Sequence, residues 1–157
     1  MIPLRAEQDE ALAALIRRIL KGHGLDIPGT AYYDPGLDHL SGYYDGTDGE
    51  YYALTAEGRL IGGAGFSAFG GFERCCELQK LYLDESFRGR GLGGRMLAFI
   101  EQRAAELGFQ RIYLETHTSL QEAIRLYERT GYRRIGRPAC VVHGTMDRFY
   151  LKELCPG

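Results

Sequence analysis

Apolar residues recur at the spacing of an α-helix in three segments of the chain. In residues 7–21 they fall at positions i, i+3, i+4, i+7 and i+8, which predicts an amphipathic helix. Residues 92–107 repeat this pattern and end at a glycine, as many helices do. A third helix is predicted after Ser119, which forms a capping-box pattern with Glu122, and this helix ends at Gly131.

The other apolar runs are short and rich in β-branched and aromatic residues, which predicts strands. Residues 57–59 form a compact turn between two of them, as in a hairpin. A short helix over residues 35–44 is predicted to follow Asp34 as its N-cap. Together these elements predict an α/β fold of one domain, residues 1–157, with a mixed sheet and helices on both faces. The predicted strands cover residues 2–5, 51–56, 60–69, 76–83, 111–116, 132–135 and 146–151.

Composition and charge argue against several classes of partner. The 19 basic and 21 acidic residues give a net charge of −2, without a basic stripe outside one loop, so nucleic acid is not expected. No apolar run approaches the ~18 residues of a membrane span, and the N-terminus lacks the apolar core of a signal peptide; we expect a cytoplasmic protein that binds no membrane. The spacing of cysteines and histidines predicts reduced thiols and no metal site. These residues are Cys75, Cys76, Cys140, Cys155, His23, His39, His117 and His143.

A loop rich in glycine and arginine joins the predicted strand over residues 76–83 to the predicted helix over residues 92–107. Because glycine carries no Cβ atom, its backbone can approach a ligand and adopt positive φ angles that turn successive N–H groups toward one anion. The helix that follows adds the positive end of its dipole, and the arginines add full charges. We predict that the loop binds pyrophosphate through Arg88, Gly89, Arg90, Gly91, Leu92, Gly93, Gly94 and Arg95.

Three classes of ligand use loops of this kind. A nucleoside triphosphate loop ends in Gly-Lys-Ser/Thr, whereas here Arg95 and Met96 follow the last glycine. A dinucleotide is the main rival, because the glycines satisfy G-x-G-x-x-G and Glu115 stands about 20 residues further on. Against it, residues 84–88 separate the loop from its strand, and the ~60 residues after the loop are too few for a doubly wound sheet. The third class is an acyl-CoA.

Two segments resemble the signatures of the GNAT superfamily of acyl-CoA N-acyltransferases. Residues 88–93 carry the pattern R-x-x-G-x-G, and residues 123–132, AIRLYERTGY, resemble the pattern A-x-x-L-Y-x-x-x-G-F/Y. The resemblance is specific over residues 75–134 and general elsewhere. Many members carry an asparagine three residues before the helical alanine, where this chain has Leu120, so the polar contact made from that position is not expected here.

The resemblance implies a GNAT-like mixed, mostly antiparallel central sheet, with acetyl-CoA as the co-substrate and no metal. It implies that Leu81, Tyr82 and Leu83 hold the pantetheine arm like an added strand, with a backbone N–H that polarises the acetyl carbonyl. It also implies that Tyr127 acts as general acid toward the leaving thiolate. Because a phenol has a pKa of about 10 and a thiol about 8.5, a hydrogen bond to the thiolate is the larger expected contribution.

The attacking amine must also lose a proton, since alkyl amines have pKa values of about 10. Glu77 precedes the glycine loop on its strand, where some family members carry a general base, and burial there would raise its pKa. In the alternative interpretation Glu77 pairs with Lys80 or with a neighbouring strand and only orders the sheet edge.

The acceptor-binding segment is predicted after the first helix, over residues 29–35 and the following Asp38 and His39. Tyr33 and His39 are the predicted substrate contacts in this segment, where tyrosines and carboxylates could hold a cationic amine. In the alternative interpretation these residues serve as helix cap and core. Glu115, His117 and His143 are further polar candidates near strand ends.

The sequence therefore predicts an N-acetyltransferase that moves an acetyl group from acetyl-CoA to a primary amine of a small molecule, an amino acid among them, by direct attack. An acyl-CoA-binding regulatory module with little turnover stays open, as does a transferase for peptide or protein amines. A nicotinamide-dependent oxidoreductase is disfavoured by the lengths of the loop and the chain. The oligomeric state is open, although a homodimer is the commonest closed assembly.

Overall fold

A computed structural model describes residues 1–141 and 144–154. The strands are β1 (Ile2–Pro3), β2 (Glu50–Ala56), β3 (Arg59–Phe69), β4 (Cys75–Leu83), β5 (Arg111–Thr116), β6 (Arg133–Ile135) and β7 (Arg148–Glu153). The helices are α1 (Asp9–Gly22), α2 (Leu40–Tyr44), α3 (Leu92–Glu106) and α4 (Gln121–Arg129). Every predicted element agrees with these bounds within two residues except the helix over residues 35–44.

The seven strands form one sheet in the order β1-β2-β3-β4-β5-β7-β6. All neighbouring pairs are antiparallel except β4 and β5, which run parallel because α3 crosses between them. The predicted fold class, a mixed and mostly antiparallel sheet, is therefore confirmed. Among the described residues, no helix has both the length and the apolar character that a membrane span requires.

Alternating side chains of each strand point to opposite faces of the sheet and build three apolar clusters, one of them formed by Cys75, Tyr113, Phe149 and Leu151. On one face α3 and α4 cover the strands, and Tyr52, Cys76 and Ile112 point toward them. On the other face α1 and α2 pack against Tyr51. Helices therefore lie on both faces, as predicted, because burying both faces of a sheet requires a layer on each side.

Two predicted helix caps are wrong, because each capping side chain bonds a different charged or polar partner. The Asp34 carboxylate lies 2.8 Å from Lys80 Nζ instead of capping a helix. Residues 35–44 accordingly form only a 3-10 turn, Leu37–His39, followed by α2.

The capping box predicted at the third helix is also absent. The N-cap of α4 is Leu120, which has no side chain that can cap. Ser119 instead places its hydroxyl 2.7 Å from His117 Nδ1, and the Glu122 carboxylate pairs with Arg88 at 3.3 Å. The first turn of α4 thus keeps its N–H groups free of side-chain caps at a place that borders the cavities described below.

The parallel strands β4 and β5 separate partway along their length. They pair only from Cys75 with Arg111 to Glu77 with Tyr113. Beyond Glu77, β4 continues to Leu83 with β3 on one side and no strand on the other among the described residues. The resulting gap in the sheet positions the candidate site.

Candidate active site

A large cavity of ≈340 Å³ lies beside the open edge of β4. Its wall joins three parts of the fold: the last residues of β4, the glycine loop with the start of α3, and one face of α4. The side of α1 closes it through Ile19 and His23. Among the predicted cofactor-binding residues, those that line it are Leu81, Tyr82, Leu83, Arg88, Gly89, Gly91, Leu92 and Gly93.

Two glycines of the loop adopt the positive φ angles that the sequence predicts. Gly89 has φ 77° and Gly91 has φ 75°. Gly91 is the N-cap of α3, and the first helical bond runs from Arg95 N–H to the Gly91 carbonyl at 3.2 Å. The N–H groups of the first turn therefore precede the helical ladder and are available to an anion.

Gly93 and Gly94 do not share this positive-φ conformation, because they are helical residues in the first turn of α3. A Cβ atom at Gly93 would lie 3.3 Å from Leu126 Cδ2. Gly93 therefore lets α3 and α4 approach each other, and Gly94 does not line the cavity.

Of the three loop arginines, only Arg88 lines the large cavity. The Arg90 guanidinium instead stacks over the Phe87 ring at 4.9 Å, and Arg95 is exposed. Two arginines that the sequence reasoning missed, Arg125 and Arg129, line the cavity from α4. Their spacing of four residues, which places both on one helical face, was the available signal.

A small cavity of ≈80 Å³ occupies the gap between β4 and β5. Leu78 and Lys80 of β4 line it on one side, and Glu115 and Thr116 of β5 line it on the other. It shares four wall residues with the large cavity: Leu81, Tyr82, Leu120 and Ala123. The two cavities therefore meet at the open edge of β4 and the start of α4.

Tyr127 lies on α4 with its side chain directed inward, and it lines the small cavity. Only 5% of the residue is exposed. Within residues 1–141 and 144–154, no hydrogen bond involves its hydroxyl, and no buried polar side-chain atom lacks a partner, so the hydroxyl faces the cavity. Burial raises the pKa of Tyr127 well above its usual value, and the nearby Tyr82 phenol adds to this shift.

Glu77 is half-buried at the point where β4 and β5 separate. Its carboxylate accepts a hydrogen bond of 3.1 Å from Gln79 Nε2, and Gln79 Oε1 accepts one from the Tyr44 hydroxyl. Burial raises the pKa of Glu77; Gln79 opposes the shift, and the neighbouring carboxylate of Glu115 adds to it. Glu77 does not line the small cavity, whereas Glu115 does.

The alternative interpretation of Glu77 as an ion-pair partner of Lys80 is not what the structure has, because Lys80 pairs with Asp34. Glu115 accepts a hydrogen bond of 2.8 Å from the Tyr113 hydroxyl. No ion pair within the described residues involves Glu115.

The two predicted substrate contacts lie elsewhere. Tyr33 is 58% exposed and packs against Tyr32, and His39 is exposed at the N-cap of α2. Neither lines the large or the small cavity. His117 contacts Ser119 and Asp147, while His143 is outside the described residues. Over the described ranges, no group of three or more histidine, cysteine or carboxylate side chains could hold a metal ion.

The comparisons with known proteins agree with this geometry. The sequence model of the acetyltransferase (GNAT) family matches residues 16–132. The chain is 36% identical over 154 residues to the uncharacterized N-acetyltransferase YjgM of Escherichia coli (strain K12), covering 96% of this chain and 92% of the relative. It is 35% identical over 98 residues to the spermine/spermidine N(1)-acetyltransferase of Bacillus subtilis (strain 168), covering 57% and 64%. The crystal structure of a GNAT acetyltransferase of Staphylococcus aureus Mu50 matches with a TM-score of 0.86 at 22% identity, over 98% of each chain.

A sheet that opens beside a glycine loop at a helix N-terminus defines a class of acyl-CoA-dependent transferases. The chain belongs to the GNAT acetyltransferase family, and it is an acyl-CoA-dependent N-acetyltransferase. The resemblance stated from the two sequence motifs is thereby confirmed. A doubly wound dinucleotide fold is excluded, because its sheet would be mostly parallel.

The large cavity fits coenzyme A, the carrier that this class requires. The first-turn N–H groups of α3 and the guanidinium groups of Arg88, Arg125 and Arg129 suit its phosphates. The open edge of β4 offers backbone groups that pair with amides of an extended chain. When bound, coenzyme A supplies an activated acyl group as a thioester.

We predict that Gly91→Ala lowers the affinity for coenzyme A at least about tenfold, a loss of ~1.4 kcal/mol. An alanine at φ 75° is strained, so the loop must shift although no atom lies within 4 Å of the added methyl group. Gly58→Ala is the matched control, because Gly58 has the same φ and equally open surroundings in the β2–β3 turn. Calorimetric titration measures both. If the two variants bind coenzyme A equally well, the loop is not the phosphate site.

Proposed function

We propose that the protein transfers an acetyl group from acetyl-CoA to a primary amine of a small cationic molecule by direct attack. The single observation that carries this proposal is the meeting of two cavities at Leu81, Tyr82, Leu120 and Ala123. A thioester held in the large cavity reaches this junction from one side. An amine in the small cavity reaches it from the other, which brings the nitrogen and the carbonyl carbon to the same junction.

The charges around the small cavity support a cationic acceptor. Lys80 is neutralised by Asp34 at 2.8 Å, whereas Glu115 faces the cavity without an ion-pair partner among the described residues. Glu77 adds a second carboxylate behind it. A buried negative charge stabilises a cation nearby. The name of the Bacillus subtilis relative, a spermine/spermidine acetyltransferase, supports the same class of acceptor.

Direct attack is supported by the state of the cysteines. Burial raises the pKa of the Cys75 thiol to about 11 and that of Cys76 to about 12, so both are protonated at neutral pH. Of the cysteines that the structure describes, none lines either cavity. An acyl-enzyme formed on a thiolate is therefore disfavoured. The amine nitrogen forms the new bond to the carbonyl carbon as the bond from carbon to sulfur breaks.

Glu77 and Tyr127 supply the two proton-handling roles in this proposal. Glu77 accepts the proton of the ammonium through a water, since its own carboxylate does not line the small cavity. Tyr127 donates a hydrogen bond to the departing sulfur. Because burial raises the pKa of Tyr127, complete proton transfer to a thiolate is uphill, and the hydrogen bond is the main stabilising contribution.

The first experiment measures thiol release from acetyl-CoA over a panel of amines. We expect spermidine and short diamines to give a kcat/KM about tenfold above a monoamine of equal length, because a second ammonium group contacts Glu115. Glu115→Gln should remove this preference, while Glu153→Gln, at the far end of the sheet beside Arg111, should retain it. A preference for peptide amines or for neutral amines contradicts the proposed acceptor. Tight binding without thiol release from any amine favours the regulatory module.

We predict that Tyr127→Phe lowers kcat about 100-fold, because the hydroxyl no longer stabilises the departing sulfur. The affinity for coenzyme A should change less than about twofold, since the lost group serves only the reacting atoms. Tyr150→Phe is the control: it removes another phenol from the same core, which bonds Glu128 and lines neither cavity. Steady-state kinetics and titration separate the two effects. An unchanged kcat in Tyr127→Phe rules out this role.

We predict that the acid limb of the kcat/KM profile lies above the ordinary carboxyl pKa of about 4.3 and that Glu77→Gln abolishes it. The raised pKa also affects the stability of the fold. Because Glu77 holds its proton to a higher pH in the folded state than in the unfolded state, it reduces stability as pH rises through its folded pKa. Glu77→Gln should therefore be more stable than the parent at neutral pH. Glu101→Gln, which removes a carboxylate paired with Lys152, should keep the acid limb. Retention of the limb in Glu77→Gln excludes Glu77 as the base.

A further inference from the structure

Strand β4 contains a bulge at the junction of the two cavities. Gln79 pairs with Gly65 and Tyr82 pairs with Gly63, so β4 has one residue more than β3 between these points. Lys80 has φ 48°, in the left-handed region that lysine rarely adopts. A strained residue of this kind persists only where its surroundings hold it in place.

The group that holds this bulge comes from β2. The Tyr51 hydroxyl donates a hydrogen bond of 2.6 Å to the Lys80 carbonyl, and only 4% of Tyr51 is exposed. Its ring lies across β3, where Gly63 and Gly65 leave room for it. A Cβ atom at Gly63 would lie 2.7 Å from both Cε1 and the hydroxyl oxygen of Tyr51. Tyr51 therefore contacts β4 across β3, through the space that the two glycines leave.

This hydrogen bond sets the orientation of one peptide unit. Among the described residues no peptide bond is cis, so the carbonyl of Lys80 and the N–H of Leu81 point in opposite directions from one rigid plane. Holding the carbonyl toward Tyr51, inside the core covered by α1, turns the N–H away from that core. Leu81 lines both cavities, on the edge of β4 that β5 has left open.

We propose that Tyr51 is a positioning residue, which orients the Lys80–Leu81 peptide so that the Leu81 N–H polarises the acetyl carbonyl. The inference rests on the proposed function, because it concerns the transferred group. Tyr51 touches neither cavity and acts through the bulge alone. A preorganised donor of this kind stabilises the negative charge that develops on the carbonyl oxygen during attack.

Tyr51→Phe keeps the ring in its glycine gap and removes only the hydroxyl. We expect kcat to fall at least about tenfold, while the affinity for coenzyme A, which has no acetyl carbonyl, stays within about twofold. The direct readout is the infrared carbonyl stretch of bound acetyl-CoA that carries a heavy isotope at the carbonyl carbon. Polarisation lowers this frequency in the parent protein, and in Tyr51→Phe it should return toward that of free acetyl-CoA.

The control is Tyr52→Phe, the next residue of the same strand, whose hydroxyl bonds Glu50 and Arg103 on the opposite face. A buried phenol needs a hydrogen-bond partner whatever its role, so loss of stability alone is expected of both variants. Only Tyr51→Phe should change the carbonyl frequency. An unchanged frequency together with an unchanged kcat in folded Tyr51→Phe overturns the proposal.

Gly63→Ala tests the same contact between Tyr51 and Lys80 without removing the hydroxyl. The added methyl group displaces the Tyr51 ring, so this variant should reproduce the frequency change and the loss of kcat. If Tyr51→Phe does not fold, the result in Gly63→Ala decides. If the proposed function is wrong, the parent protein itself releases no thiol from acetyl-CoA. If only the role of Tyr51 is wrong, the parent protein releases thiol and the variants do so equally well.

Discussion

Strands β4 and β5 exchange backbone hydrogen bonds over only three residue pairs, and the rest of the structure depends on where that pairing stops. Up to Glu77 the two strands pair and the sheet is continuous. Past it, the edge of β4 carries backbone groups that need partners, because unpaired N–H and C=O groups inside a protein cost free energy. The cavities satisfy this requirement by keeping the edge accessible to solvent or to a ligand. The bulge at Lys80 and the crossing of α3 both shape the same gap.

The gap also separates charge. At its border Asp34 neutralises Lys80. Glu122 pairs with Arg88, which is one of three arginines that line the large cavity. What remains is basic in the large cavity and acidic in the small one, where Glu115 stands. This distribution suits a phosphorylated donor on one side and a cationic acceptor on the other, since each ligand meets charge of opposite sign only in its own cavity.

Periodicity predicted the helices and strands well, because burial on one side of an element leaves a repeat in the sequence. Predictions from single polar residues fared worse. Asp34 was assigned as a helix cap from local pattern, yet it pairs with Lys80, which only the fold brings near it. Ser119 was assigned in the same way, yet it bonds His117, two residues before it in the chain. A polar side chain has several partners within reach, and the local pattern does not decide which one it bonds.

The sequence by itself determined the family, the position of the glycine loop and the inward direction of Tyr127, because each depends on contiguous motifs with a fixed local geometry. The tertiary structure alone decided which side chains share a cavity. Glu115, a polar candidate near a strand end, lines the small cavity, and Tyr51, which carries no signal in its own segment, reaches the bulge of β4. The reason is physical: strand pairing and helix packing set distances between residues far apart in the chain, and no local pattern encodes those distances.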